Sequence, residues 1–206
     1  MTPDQALSSG AERILGRPLS EKELGDFDRY SNLLLKWQKA HRLVGSADPM
    51  WIVEHLFLDS LLFLKVLPPG VQSLADVGSG AGLPGIPIKI VRRDLQIVLI
   101  ESRRRRAMFL TTVIRTLGLG GARVLEGRVE SLSAELDGRI DAVVMRCAGD
   151  LGDMIPTVVP LVSASGMVVA SGPPQARTLP SGRWVTVPGI RSGTIRRFAV
   201  YERSTA

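Results

Sequence analysis

The hydrophobic positions change rhythm along the chain. Residues 1–67 read as helices: Leu24, Phe27, Leu34 and Trp37 recur near the helical period, and "SEKE" (Ser20 to Glu23) has the spacing of a capping box. The pattern predicts a helix of about five turns from Ser20. A break follows at "HRLVGSADP", where Pro49 opens a second, strongly apolar helix through Trp51, Ile52, His55, Leu56, Leu58, Leu61, Leu62 and Leu64 that ends before Pro68 to Gly70. Beyond Gly70 short β runs alternate with helical stretches. The candidate strands are Ser73 to Val77, Gln96 to Ile100, Ala122 to Leu125, Ile140 to Met145 and Gly166 to Ala170, separated by segments long enough for crossover helices. Past Pro173, "RWVTVPG" and "TIRRFAVYER" are strand-like runs joined by a glycine-containing turn with no helix between them, which predicts an antiparallel edge.

This alternation predicts an α/β fold with a mainly parallel sheet covered on both faces. Residues 1–70 are expected to form a helical extension packed on a core unit of residues 71–206. A length of 206 residues and an apolar share of 45% fit one core rather than two. No apolar run approaches the roughly 20 residues of a membrane span. The N-terminal "MTPDQALSSGAERILG" lacks a basic region followed by an apolar one, so a cytoplasmic location without membrane attachment is expected. The single cysteine, Cys147, has no internal disulfide partner, and no His/Cys cluster has zinc spacing, so no metal is expected.

Charge narrows the partners. The net charge is +6, and after residue 154 six basic residues stand against one acidic residue, Glu202. Arginine is concentrated at Arg103 to Arg106 and at Arg177, Arg183, Arg191, Arg196 and Arg197. Such a distribution is either a solvated basic surface or the electrostatic footprint of a polyanion, and charge alone does not choose among RNA, DNA and neither.

The densest chemical signal is "LADVGSGAGLPGIPIKI", Leu74 to Ile90. In an open parallel sheet, ligands bind at the carboxyl ends of the strands, and the first strand-to-helix loop carries the glycines. Two registers compete. Gly80, Gly82 and Gly85 match the dinucleotide spacing, whereas Asp76-Val77-Gly78, Gly80 and Gly82 match the acidic three-glycine loop of S-adenosylmethionine-dependent methyltransferases. A dinucleotide fingerprint opens directly off its strand. Gly78 does so after Val77, while Gly80 comes later, which favours the second register. Pro84 and Pro87 then fall in the first turn of the next helix, where a missing N–H costs least. Glu101, at the end of "QIVLIES", stands where a carboxylate accepts hydrogen bonds from ribose hydroxyls; capping of the helix that opens at Arg103 to Arg106 is its alternative. In "GRVES", Gly127 to Ser131, the Val129 and Glu130 backbone follows the third strand, beside where an adenine would lie; an ordinary N-terminal helix acid is the alternative for Glu130. Arg146, at the end of the fourth strand, could contact cofactor or RNA, or form a surface ion pair.

With these motifs in view, the sequence resembles the bacterial 16S ribosomal RNA guanine-N7 methyltransferases called RsmG, or glucose-inhibited division protein B. The resemblance runs through "LLLKWQKAHRLVGSADP", "HLFLDSLL", "DVGSGAGLPGIPIKI", "LIESRRRRAMFL", "GRVE" and "DAVVMR". It implies a Rossmann-like class I methyltransferase with a mainly parallel seven-stranded sheet and an N-terminal helical extension. It also implies methyl transfer from S-adenosylmethionine to N7 of a guanine in 16S rRNA of the small ribosomal subunit, by a monomer. Cofactor contacts are implied at Gly78, Leu83, the Val129–Glu130 backbone and Arg146; Asp76, Gly80, Gly82 and Glu101 are the general loop positions of the fold. Arg103, Arg104, Arg105, Arg196 and Arg197 are the expected RNA contacts.

The sequence departs from the family pattern at Met145-Arg146-Cys147, where Ser-Arg-Ala is common, and at Ser171-Gly172, where Lys-Gly is frequent. Arg42-Leu43-Val44 replaces Asn-Leu-Thr, and the spacing from His55 to Asp59 is one residue longer. Guanine N7 carries a free lone pair, so the reaction requires alignment rather than a general base, and Arg146 is a positioning candidate. His41 and His55 have no third partner for a triad, and Cys147 after an apolar strand reads as a small hydrophobe rather than a nucleophile. The competing functions are a non-catalytic RNA-binding or ribosome-assembly factor on the same fold, and an NAD(P)-dependent oxidoreductase; a hydride-relay Tyr-x-x-x-Lys pair is missing from the sequence.

Overall fold

The structure is a computed structural model that describes residues 1–146, 150–172, 178–179 and 181–203. Helix α1 (Pro3–Leu15) starts from a Thr2/Gln5 capping box with Pro3 in its first turn, a signal present in "TPDQ" that the periodicity reading did not single out. Helix α2 (Glu21–His41) begins at the Ser20/Glu23 box, as the spacing predicts, and buries Phe27, Tyr30 and Leu34 completely. It ends at Arg42, whose φ of 43° and ψ of 60° are left-handed. A side chain with a Cβ is strained there, and Asn tolerates the conformation best after Gly. Arg42→Asn is therefore expected to raise stability by about 0.5–1 kcal/mol in urea unfolding.

The second apolar helix forms over the expected stretch but changes winding along it. Helix α3 (Pro49–Ile52) passes into a π-helical turn (Val53–Leu58), then α4 (Asp59–Leu61) and a 3₁₀ turn (Leu62–Lys65). The wider π turn holds one more residue per hydrogen-bonded loop than an α turn, so an extra residue passes without rotating everything after it.

The sheet contains β1 (Ser73–Val77), β2 (Gln96–Glu101), β3 (Ala122–Glu126), β4 (Ile140–Met145), β5 (Val162–Ser171), β6 (Arg183–Pro188) and β7 (Ile195–Glu202). Their order is β3-β2-β1-β4-β5-β7-β6, with β7 antiparallel to both neighbours and the other pairs parallel. The antiparallel edge is the one expected from the last two runs. Helices α5 (Gly85–Val91), α6 (Arg104–Leu117), α7 (Val129–Leu136) and α8 (Leu151–Val158) make the crossovers.

Strand alternation divides the apolar side chains between two layers. Leu74, Leu99, Val144, Val169 and Phe198 pack with α1, α2, α5 and α6, whereas Ala75, Val77, Ile100, Val143 and Met145 pack with α7 and α8. On the first face Asp26 of α2, fully buried, is ion-paired with Lys22, Arg29 and Arg93. Arg93 also donates to the Gly118 carbonyl at 3.0 Å, so one carboxylate ties α2 to the turn after α5 and to the end of α6.

The chain order reverses between β1 and β4. A parallel sheet opens a crevice at the strand carboxyl ends where its order reverses. Gly78, Ser102, Gly127 and Arg146 directly follow β1, β2, β3 and β4 at that edge.

Candidate active site

The glycine loop leaves β1 tied to the neighbouring strand. The amides of Gly78 and Ser79 both donate to the Ile100 carbonyl, at 2.9 and 3.0 Å, and Ser79 Oγ donates to the Asp76 carbonyl at 2.7 Å. The loop then turns back on itself, with Gly82 and Leu83 amides donating to the Ser79 carbonyl.

The glycines serve different ends. Gly78 has φ 72° and is exposed at the crevice. Gly82 is buried: a Cβ there would lie 2.5 Å from Ile86 and 3.0 Å from Leu110. At Gly85 a Cβ would lie 2.5 Å from Leu99 and 2.7 Å from Asp76 Oδ2. Gly82 and Gly85 thus let α5 and α6 close on the sheet. Leu83 belongs to the same buried layer, and Gly80 donates its amide to Glu101 Oε2 at 2.9 Å. Asp76, Gly82 and Leu83 are buried.

Tyr30 supports the loop from α2. Its hydroxyl donates to the Ala81 carbonyl at 2.5 Å and its ring stacks on Phe57 at 5.2 Å. A tyrosine inside an apolar stripe must find a polar partner, and this was the signal available in the sequence. What the sequence could not supply was the partner, 51 residues away.

Asp76 is fully buried and accepts the Gly85 amide at Oδ2, 2.9 Å away, while Oδ1 has no hydrogen-bond partner among the described residues. Burial raises its pKa from 3.8 to about 7, against the lowering effect of the Gly85 amide, Ser79 and Arg146. Between these two values the unfolded chain has released a proton that the folded chain retains, so this carboxyl stabilises the fold fully below pH 3.8 and loses that contribution as pH rises through about 7. Asn keeps the shape and cannot titrate. The stability of wild type relative to Asp76→Asn is expected to fall between pH 5 and pH 8 in parallel urea titrations; a difference independent of pH would contradict the assignment.

Glu101 binds the backbone at both the glycine loop and the start of α6. Oε2 accepts from Gly80 and Oε1 accepts the Arg103 amide at 2.7 Å at the start of α6. A carboxylate has about four acceptor positions, so two bonds leave capacity for ribose hydroxyls. Gly78, Ser102, Gly127, Val129, Glu130 and Met154 line a cleft of about 150 Å³. Helix α7 opens there without a side-chain cap, a helix start that offers backbone donors to a ligand.

Arg146 stands on the other side. Its neighbour Met145 pairs with Val77, which sets Arg146 alongside Gly78. Arg146 donates through Nη2 to the His55 carbonyl and lies 3.6 Å from Asp59 Oδ2. Its Nη1 is buried and has no hydrogen-bond partner among the described residues. Asp59 also holds Arg196 Nε at 2.9 Å. A second cleft, of about 420 Å³, opens here between Trp51, His55, Asp59, Arg146, Arg191 and Arg196.

The expected RNA contacts separate into distinct places. Arg103, Arg104 and Arg105 line a hollow of about 600 Å³ with Arg106, Lys39, His41 and Arg42, and among the described residues no acidic side chain lines it. The sequence reading missed the contribution of the α2 end, because nothing local brings residues 39–42 beside 103–106. Arg196 and Arg197 are consecutive on β7 and so face opposite sides of the sheet. Arg196 is engaged internally, with Asp59, the Gly172 carbonyl at 2.9 Å and the Phe198 ring at 5.6 Å. Cys147 and Arg177 lie outside the described residues. Among the described residues no group of three or more His, Cys, Asp or Glu side chains could hold a metal ion, and no helix is long and apolar enough to cross a membrane.

A sheet of this order with one reversed strand, a glycine loop at its order reversal and an acidic residue ending β2 define a class I S-adenosylmethionine-dependent methyltransferase. A solved Escherichia coli structure assigned as a methyltransferase, yhhF, shares the fold, with a TM-score of 0.54 and 20% identity over 72% of this chain and 85% of that one. The chain belongs to the family described as rRNA small subunit methyltransferase G, GidB, whose profile matches residues 23–175. The protein named ribosomal RNA small subunit methyltransferase G of Neisseria meningitidis serogroup B is 38% identical over 152 residues, 74% of this chain and 72% of that protein. The protein of the same name in Sorangium cellulosum is 36% identical over 191 residues, 90% of this chain and 79% of that one. The family sets aside the dinucleotide register, in agreement with the packing duties of Gly82 and Gly85. His55 lies in the π turn and Asp59 directly follows it, and there Asp59 and the His55 carbonyl meet Arg146.

Proposed function

We propose that this protein transfers the methyl group of S-adenosylmethionine to N7 of a guanine in 16S rRNA of the small ribosomal subunit, acting as a cytoplasmic monomer. The observation that carries this reading is the position of Gly78 and Arg146 directly after paired residues of β1 and β4, Gly78 lining the glycine-loop cleft and Arg146 lining the arginine-rich one. S-adenosylmethionine, when bound, supplies an electrophilic methyl group on a sulfonium centre.

The protein's part is placement. Gly78 leaves room beside the loop, Glu101 offers carboxylate oxygens to ribose hydroxyls, and the Val129–Glu130 backbone offers polar groups to the adenine. Arg146 fixes the wall between the clefts. Guanine N7 has a lone pair and no proton to lose, so no general base is required. The arrangement of carboxylates suits that chemistry, since Asp59 is held by Arg146 and Arg196, and Glu54 pairs with Arg191 at 2.7 Å. The hollow around Arg103 to Arg106 supports phosphate contact.

The test is calorimetric titration with S-adenosylmethionine, followed by transfer of labelled methyl groups to undermethylated 30S subunits, 16S RNA and 23S RNA. Cofactor binding with label in 16S RNA and none in 23S RNA is expected. Binding without transfer to 16S RNA would overturn the substrate.

A further inference from the structure

We propose that the Trp51–His55 ring pair is the platform on which the target base of the RNA stacks after leaving its neighbours; this rests on the reading above that a guanine ring is the acceptor. Enzymes that modify a base take it out of its stack and hold it against aromatic or apolar side chains. Here the acceptor atom must arrive at the Gly78–Arg146 junction from the second cleft, because the first holds the cofactor. Among the described residues lining the second cleft, Trp51 and His55 are the aromatic ones. Their rings lie 5.1 Å apart and 12° from parallel, so the pair already has the geometry of a base stack.

The pair is set in place before any base arrives. His55 Nδ1 lies 3.3 Å from the Trp51 carbonyl, one turn back, and the edge of the indole lies against Gly45, where a Cβ would be 3.5 Å from the ring. His55 is exposed, so the stack ends in an imidazole open to the cleft. The same residue's carbonyl holds Arg146, and Arg146 presents a buried Nη1 donor with no partner among the described residues. A guanine brought onto the platform carries an acceptor, O6, on the same edge as N7, whereas adenine carries an amino donor there. The π turn contains His55 and directly follows α3, which carries Trp51, and this connects the local winding to the platform's position.

The experiment compares wild type, Trp51→Ala, Trp51→Phe and His55→Ala. Steady-state methylation of 16S RNA is measured alongside calorimetric affinity for S-adenosylmethionine and thermal unfolding. Stacking of one base predicts that Trp51→Ala lowers kcat/KM for RNA by about 5- to 100-fold with cofactor affinity unchanged, and that Trp51→Phe recovers most of the loss. Should Trp51→Ala lose the fold, the exposed His55→Ala carries the same expectation. Unchanged kcat/KM in Trp51→Ala or His55→Ala would overturn the platform, as would equal losses in the Ala and Phe variants or a parallel fall in cofactor affinity. Wild type that binds the cofactor but methylates no 16S RNA would overturn the substrate reading itself, which separates the two failures.

Discussion

Gly78→Val is expected to abolish S-adenosylmethionine binding while the protein stays folded. Gly78 is left-handed, and a residue with a Cβ held there costs about 1–2 kcal/mol, most for a β-branched one. The larger effect is steric. Gly78 lines a cleft of only about 150 Å³, so added methyl groups occupy the space that the cofactor must enter. Displacement of a bound group by about 1 Å costs on the order of 100-fold in rate, and a loss of at least that size in kcat/KM is expected. Calorimetry should show binding lost, with a melting transition that remains cooperative. Gly82→Ala makes the contrast, because its Cβ would stand 2.5 Å from Ile86. That variant is expected to lose stability first, and affinity only as the loop shifts.

Asp26→Ala is expected to be the most damaging single change to the fold outside the apolar layers. The carboxylate is completely buried among Lys22, Arg29 and Arg93. Removal of one partner from a fully buried ion pair costs about 3–5 kcal/mol, because a buried charge is left alone. Here the three cations are 65%, 49% and 32% exposed and can turn to water, so a loss of about 2–3 kcal/mol is expected. Urea unfolding gives the value, and a double-mutant cycle with Arg93→Ala isolates the link between α2 and the turn after α5. Since Tyr30 lies on α2 and holds the glycine loop through Ala81, a weaker cofactor affinity should accompany the lost stability.

The parts legible in the sequence were those with a local cause. β1 ends where expected because its run meets Gly78 and the glycine loop, and β4 spans the expected Ile140–Met145. The start of β5 was missed: Val162 to Ser165 reads Val-Ser-Ala-Ser, where small polar residues hide a strand that tertiary pairing completes. Gly78, Glu101 and Val129 could be placed at the crevice because they stand at or just past the carboxyl ends of parallel strands. The joint roles of Asp59 with Arg146 and Arg196, and of Tyr30 with Ala81, could not be found, because their partners meet only after folding. The division of labour among the glycines was equally hidden, since spacing alone does not distinguish a glycine that admits a ligand from one that admits a helix.

The most direct test of the central claim is to map the methyl group. Small ribosomal subunits lacking the modification are incubated with the protein and labelled S-adenosylmethionine, and the 16S RNA is digested to nucleosides and separated. Label in 7-methylguanosine alone, at one site, is the predicted result. Label on an exocyclic amine, a ribose or a pyrimidine carbon, or no label while the cofactor is bound, would contradict it.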